Sequence, residues 1–269
     1  MPLHELSFLC FHREKALFII AGLITLCTPP SHAYNNRKKE ATVGMEITQG
    51  ILAPKTSYRT PYTIFRSTIA GPVMMIAAGI HGNETASIKA AQNLIAKLKT
   101  GKMGLRQGTL IVAPIMNKKA YSKRIRGVPD LNRTFPRYAS GFATHPIAKD
   151  WMALARKYKP SWYLDLHEAN GLSQLNAKYL GQTLIVNKGN KATASAKKII
   201  ARLNHMIPTK AHHFNLKVKP LGGSSRMAMV HSFKAASVTV ETCWSLPFDR
   251  RVQYQEEILV QFLKATKMR

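Results

Sequence analysis

Cysteine and acidic residues are both scarce in this chain of 269 residues, which has three Cys and 13 Asp plus Glu against 40 Lys plus Arg. Two of the cysteines, Cys10 and Cys27, fall near the N-terminus, and only Cys243 lies far along the chain. One cysteine makes no intrachain bridge, so a disulfide scaffold is excluded for the body of the protein. Cys243 reads as a small buried hydrophobe. Long apolar runs are missing too. The longest, Ala16 to Leu26, is too short to cross a bilayer comfortably. Internal repeats, low-complexity tracts and signs of a second domain are also missing.

That apolar run has a different reading. Arg13 and Lys15 precede it, and Ser31-His32-Ala33 follows Thr28-Pro29-Pro30. A basic segment, a short apolar segment and a small-x-small site make a secretory signal peptide over residues 1–33, cut after Ala33. The bulky Leu26 before Cys27 argues against a lipoprotein signal. Residues 34–269 are then one domain, periplasmic or secreted, with no stable membrane span once the leader is gone.

The leader carries two basic and two acidic residues, so its removal leaves 38 basic against 11 acidic, and the net charge stays +27. Such a charge attracts polyanions over long range. No basic run is interleaved with aromatics, as stacking on nucleic acid requires. Nucleic acid is therefore not an expected partner, and for an exported chain an anionic cell-envelope polymer or an acidic peptide is the natural one. Five of the 11 remaining acids (Glu84, Asp130, Asp165, Glu168 and Glu241) sit in segments that look chemical.

What is present is an alternation of strand-like and helix-like segments. Val43–Thr48, Tyr62–Arg66, Val73–Ile80, Thr109–Ala113, Trp162–Leu166, Thr183–Val186 and Ala236–Val240 read as strands, several of them continuously apolar. Ala86–Leu98, Ile147–Tyr158, Ala192–Met206 and Arg251–Ala265 carry apolar residues at helical spacing and end near Gly or Pro. The fold class expected is α/β: a mixed, mostly parallel central sheet with helices on both faces. In such sheets ligands gather beyond the carboxyl ends of the strands. His81, His167 and Glu241 each follow an apolar strand and are placed just past its end.

His81 and Glu84 form a His-x-x-Glu between a strand and a helix, which aims both side chains at one point. With His167 they make two imidazoles and one carboxylate, an open zinc ligand set that leaves a position for water. Asp165 could orient His167 or merely cap a turn. Glu241 is either a structural acid or, in a zinc site, a general base. The aperiodic polar segment 124–136 offers Asn132 and Arg133 as planar donors suited to a carboxylate.

In order along the chain, Gly-Ile-His-Gly-Asn-Glu, Asp-Leu-Asn-Arg-Thr-Phe-Pro, Leu-Asp-Leu-His-Glu and Val-Thr-Val-Glu-Thr resemble the motifs of the zinc carboxypeptidase superfamily. Within it they are most similar to the branch of aspartoacylase and succinylglutamate desuccinylase. The resemblance spans about Val73 to Glu241 and implies a zinc carboxypeptidase-like fold. It also implies one zinc ion per chain, held by His81, Glu84 and His167, the ligand type known from carboxypeptidase A. By the same resemblance Asn132 and Arg133 bind the substrate's carboxylate and Glu241 is the base. Arg126 polarises the scissile carbonyl, with Arg124 the next choice. Tyr179 and Tyr254 are the candidates for the tyrosine that closes over substrate. The implied activity is hydrolysis of an amide next to a free carboxylate, in a small acylated amino acid or a peptide, peptidoglycan peptides included. The alternative is a catalytically silent basic protein that binds an anionic envelope polymer.

Overall fold

The computed structural model describes residues 44–269; the leader read over residues 1–33 lies outside them. Eight strands form one sheet in the order β1-β2-β4-β3-β5-β8-β6-β7, comprising β1 (Met45–Leu52), β2 (Thr60–Ser67), β3 (Val73–Ala78), β4 (Thr109–Ala113), β5 (Trp162–Ala169), β6 (Thr183–Val186), β7 (Asn215–Val218) and β8 (Ala236–Cys243). β4, β3, β5 and β8 run parallel to one another at the centre. At one edge β2 is antiparallel to both β4 and β1, and at the other the parallel pair β6–β7 is antiparallel to β8. The expected mixed, mostly parallel α/β sheet is the one found.

The central strands are apolar on both faces because both faces are covered. On one side lie α1 (Thr85–Lys99), α4 (Ala192–Met206) and α6 (Phe248–Ala265), packed on Met74, Ile76, Leu164, Leu166, Val238 and Val240. On the other lie α3 (Pro146–Tyr158) and α5 (Ser225–Phe233), with Trp151, Met75 and Tyr163 fully buried. A short α2 (Lys118–Ser122) follows β4. Helix ends follow local chemistry. His145 Nδ1 accepts from the Ile147 N–H at 3.2 Å and Pro146 opens α3, while Ser224 Oγ accepts from the Met227 N–H at 3.2 Å to start α5. Among the described residues no helix is long and apolar enough to cross a membrane.

Three boundaries differ from expectation in a way that matters. β3 stops at Ala78, because Gly79 turns the chain out of the sheet with a φ of +63°. β5 and β8 instead run on, pairing from Trp162↔Ala236 through His167↔Glu241 to Ala169↔Cys243. His167 and Glu241 are therefore inside strands and not past their ends. Backbone pairing is indifferent to side-chain polarity, so the ladder continues and alternation sorts the side chains. Leu164, Leu166, Val238 and Val240 face one layer, and Asp165, His167, Thr239 and Glu241 face the other.

Gly82 sits where the turn after β3 passes against α2, and a Cβ there would overlap the backbone of Ala120 and Tyr121. No side-chain rotation relieves a clash with backbone. Gly82→Ala should cost about 1–3 kcal/mol by overpacking, lowering Tm by about 2–12 °C. A thermal melt that matches the unaltered protein would show the approach to be unimportant.

Candidate active site

The turn from β3 carries His81, and Glu84 occupies the residue that caps α1. A capping side chain normally accepts from the first turn of its own helix, but the Glu84 carboxylate makes no such bond. It turns towards the two histidines, with Oε1 2.6 Å from His81 Nδ1 and Oε2 2.7 Å from His167 Nδ1. The capping role passes to another element. Glu168, next to His167 but pointing to the opposite face of β5, accepts from the Ala86 N–H at 2.8 Å and pairs with Arg251 of α6. Adjacent residues of one strand thus build the site and pin the helix that supplies its carboxylate.

The two Nδ1 atoms lie 3.2 Å apart. Two neutral imidazole lone pairs at that distance need a proton or a cation between them. A tetrahedral zinc with nitrogen ligands at about 2.0–2.1 Å keeps neighbouring donors about 3.3 Å apart. His81, Glu84 and His167 are all buried, and their donor atoms fall within 4.8 Å of one another. The set is compatible with a catalytic metal ion. The outer nitrogens face carboxylates: His81 Nε2 meets Asp130 Oδ1 at 3.0 Å, and His167 Nε2 lies 3.0 Å from Asp165 Oδ1, off the ring's N–H axis. A partner such as Asp130, hydrogen-bonded to the outer nitrogen, holds a ligand imidazole in orientation.

Charges here are strongly coupled. Burial alone would raise the Glu84 carboxyl, but the facing His167 and His81 reverse this and bring it to about 2. For His167, burial favours the neutral ring, yet Asp165 and Glu84 outweigh it and push the imidazole well above its usual range. Asp130 is drawn below the usual carboxylate range, because His81 and Arg126 overcome its desolvation. Burial, with the Glu84 and Asp165 charges, pushes Glu241 up to about 8 despite His167.

These shifts carry a sign for metal binding. Without a cation, the raised His167 favours its protonated ring and Glu241 is largely neutral at pH 7, whereas a metal ion requires a neutral ring and favours an ionised carboxylate. Zinc binding at pH 7 should therefore release protons, and apparent affinity should fall as pH falls. Calorimetry in two buffers of different ionisation enthalpy reads this directly. Identical heats in both buffers would contradict the assignment.

The segment 124–136, aperiodic in sequence, contains a short 3-10 turn at Leu131–Arg133 and delivers several side chains. Arg126 lies with Nη1 3.3 Å from His81 Nδ1 and 4.0 Å from Glu84 Oε1, braced by Asp130 at 2.9 Å. Arg124 instead covers the ring of Tyr121, so the structure brings Arg126 and not Arg124 to the histidines. Asn132 is buried, its Oδ1 accepting from the Ser225 N–H at 2.9 Å and its Nδ2 3.3 Å from His167 Nε2. Arg133 is partly exposed at the mouth, with Nη1 donating to the Asn132 carbonyl at 2.7 Å. Of the two tyrosines, Tyr254 packs on Phe214 on the far face, which removes it from the site. Tyr179 lies over Gly171 in the loop after β5, half exposed.

Two further residues join the site that sequence reasoning does not reach. Ser225 donates its hydroxyl to Asp165 Oδ2 at 2.7 Å, tying α5 to β5. Arg226 lies buried beside Glu241 in a cavity of about 140 Å³. Its one signal in the sequence is a charge set directly before the apolar stretch 227–230.

A buried His-Glu-His cluster thus lies at the carboxyl edge of a parallel sheet, with an acid one strand over. The model of the succinylglutamate desuccinylase/aspartoacylase catalytic domain matches residues 70–263, and the chain belongs to that family. Over 101 residues it is 34% identical to N-alpha-acetyl-L-2,4-diaminobutyric acid deacetylase of Halomonas elongata, covering 36% of this chain and 28% of that protein. Among solved structures, the mDAP-bound form of Helicobacter pylori Csd4, a D,L-carboxypeptidase, aligns with a TM-score of 0.62 at 21% identity. That alignment covers 74% of this chain and 52% of Csd4. Carboxypeptidase A of Helicoverpa armigera aligns with a TM-score of 0.62 at 14% identity, covering 82% of this chain and 68% of that one. The chain thus spans about half of Csd4 and under a third of the deacetylase. At these identities the structural likenesses establish the fold.

Proposed function

We propose that this chain is an exported, zinc-dependent amidohydrolase that cleaves an amide next to a free carboxylate, as an N-acyl amino acid deacylase or a carboxypeptidase. One observation carries the reading: His81 Nδ1, His167 Nδ1 and the Glu84 carboxylate converge on one point, and Glu241 is the register partner of His167 on the neighbouring strand. A structural acid has no need of such a place.

When bound there, a zinc ion supplies the Lewis acidity that makes water nucleophilic near neutral pH. Glu241 accepts a proton from the attacking water and passes it to the departing amine. Arg126, held in line by Asp130, donates to the oxygen of the scissile carbonyl as negative charge develops on it. Arg133 has free donors at the mouth for the substrate's carboxylate, and Asn132 adds an amide from the wall. The relatives are named for peptides, mDAP or an acetylated amino acid, which favours a small substrate over an anionic envelope polymer. Action outside the cytoplasm follows from the leader, and N-terminal sequencing of the exported protein should begin at or near Tyr34.

The test is mass analysis of products after incubating the zinc-loaded protein with N-acyl amino acids and peptidoglycan peptides. Release of a free amine from one of these classes is expected, lost on chelation and restored by zinc. An intact panel after prolonged incubation would overturn the reading and leave the silent binder.

A further inference from the structure

A second cavity, of about 250 Å³, is lined by Ile125 and Gly127, the chain neighbours of Arg126, yet by none of the residues assigned to hydrolysis. Two buried polar groups in its wall have donors left over. His145 is 7% exposed, and its Nδ1 accepts from the Ile147 N–H at 3.2 Å. That bond places the ring's proton on Nε2, and burial favours the neutral ring. Nε2 has no hydrogen-bond partner among the described residues. Asn117 is also 7% exposed, and its Oδ1 accepts from the Ala120 N–H at 3.0 Å, which leaves its Nδ2 donors unused among the described residues. Gly127 passes this amide with a φ of +116°, and a Cβ there would stand 2.9 Å from Nδ2. The missing side chain keeps the nitrogen open to the cavity.

Buried donors without acceptors are costly, so two in one wall call for an acceptor from outside the protein. Water would serve them alone, but two cations stand with them. Lys119 and Lys123 line the same cavity, four residues apart on and just after α2. Lys119 Nζ lies over the ring of Tyr58, 5.0 Å from its centroid, and that ring meets His145 edge-on at 4.4 Å. No carboxylate lines the cavity. Asp130, the acid nearest in sequence, is engaged with His81, Arg126 and Arg133.

The kind of donor narrows the anion. The lining has ammonium point charges and separate N–H groups, and it lacks the planar guanidinium fork that matches a carboxylate. Two ammonium groups balance the charge of about −1.5 to −2 that a phosphate monoester carries at neutral pH. Ile125, Val128 and Pro129 form an apolar side wall with room for a carbon group on the phosphate.

We propose that this cavity is a binding site for phosphate, free or as a monoester, separate from the hydrolytic centre. The phosphate oxygens accept from Asn117 Nδ2 and His145 Nε2 in the wall and from Lys119 and Lys123 at the rim. Ile125 and Gly127 flank Arg126, so an occupied site also steadies the segment that carries it. The site stands whether or not the chain is a hydrolase.

Calorimetry tests it, with zinc-loaded protein titrated at about 0.15 M salt to screen diffuse attraction. The titrants are inorganic phosphate, glycerol 3-phosphate and acetate. At least one of the two phosphates should bind saturably, at least about tenfold more tightly than acetate. Tighter binding of the ester assigns the site to phosphomonoesters, and equal binding assigns it to the free ion. Lys119→Gln with Lys123→Gln should weaken phosphate about 10- to 100-fold. Lys197→Gln with Lys198→Gln, the same charge loss on exposed positions of α4, should change it less than about threefold. His145→Ser keeps an oxygen to cap α3 but removes the Nε2 donor, and should cost about tenfold. Amide exchange across residues 123–129 should slow with phosphate present. A phosphate seated on the zinc would lose nothing in the Lys119/Lys123 variant, and that result would overturn the proposal. So would the absence of saturable binding, acetate binding as tightly as phosphate, an equal loss in the α4 variant, or exchange across 123–129 that phosphate leaves unchanged.

Discussion

Replacing Glu241 by Gln should lower turnover by about two to four orders of magnitude while the protein keeps its zinc. The substitution preserves size and shape, and removes only the ability to accept a proton. Glu241 is buried, and its Oε2 has no hydrogen-bond partner among the described residues. A structural carboxylate in that position would be hydrogen-bonded on both oxygens. Burial, with the Glu84 and Asp165 charges, holds it largely neutral without a cation, pushed up to about 8. A dication beside His167 and Glu84 favours the ionised form, so metal loading and readiness of the base are linked. Substrate binding should change little, since glutamine keeps an oxygen acceptor. Turnover close to that of the unaltered protein would remove Glu241 from the chemistry. Loss of turnover that tracks loss of zinc would make it a ligand or a structural acid instead.

The second large effect is expected at the ligands. His81→Ala and His167→Ala each delete one of three donors that face a common point. Changes to residues that only orient a ligand usually cost roughly 10–100-fold in metal affinity, and loss of a ligand should exceed that. Each deletion also leaves Glu84 and a neighbouring carboxylate, Asp130 or Asp165, without the imidazole that faced them. Elemental analysis after dialysis should find about one zinc per chain in the unaltered protein and little in either variant. Full occupancy in both would show that the metal, if bound, lies elsewhere.

Much of this site is legible in the amino-acid sequence. The runs 109–113, 183–186 and 192–206 coincide with β4, β6 and α4, because a buried strand or a regular amphipathic helix writes its own period. His81 and Glu84 stand out because a strand-to-helix turn leaves them little freedom. What sequence does not reveal has physical reasons. Asp165-x-His167 and Thr239-x-Glu241 alternate with Leu and Val, which is how a strand with one polar face continues, yet polar residues after an apolar run read as the strand's end. α5 has no signature because Ser225 to Met229 are buried all round, leaving no polar stripe to mark a helix. Arg226 is hidden with it. β7 is four residues at a sheet edge, half exposed, with neither alternation nor a continuous apolar run.

One measurement bears on the central claim more directly than any other. An N-acyl amino acid cleaved by the panel assay is incubated with zinc-loaded protein in water enriched in 18-O, and the released acyl product is weighed by mass spectrometry. Attack by water at the carbonyl places one heavy oxygen in the acyl carboxylate and none in the amine. The label should appear only with zinc present and almost vanish in Glu241→Gln. Cleavage that continues after chelation, or an unlabelled acyl product, would contradict the account.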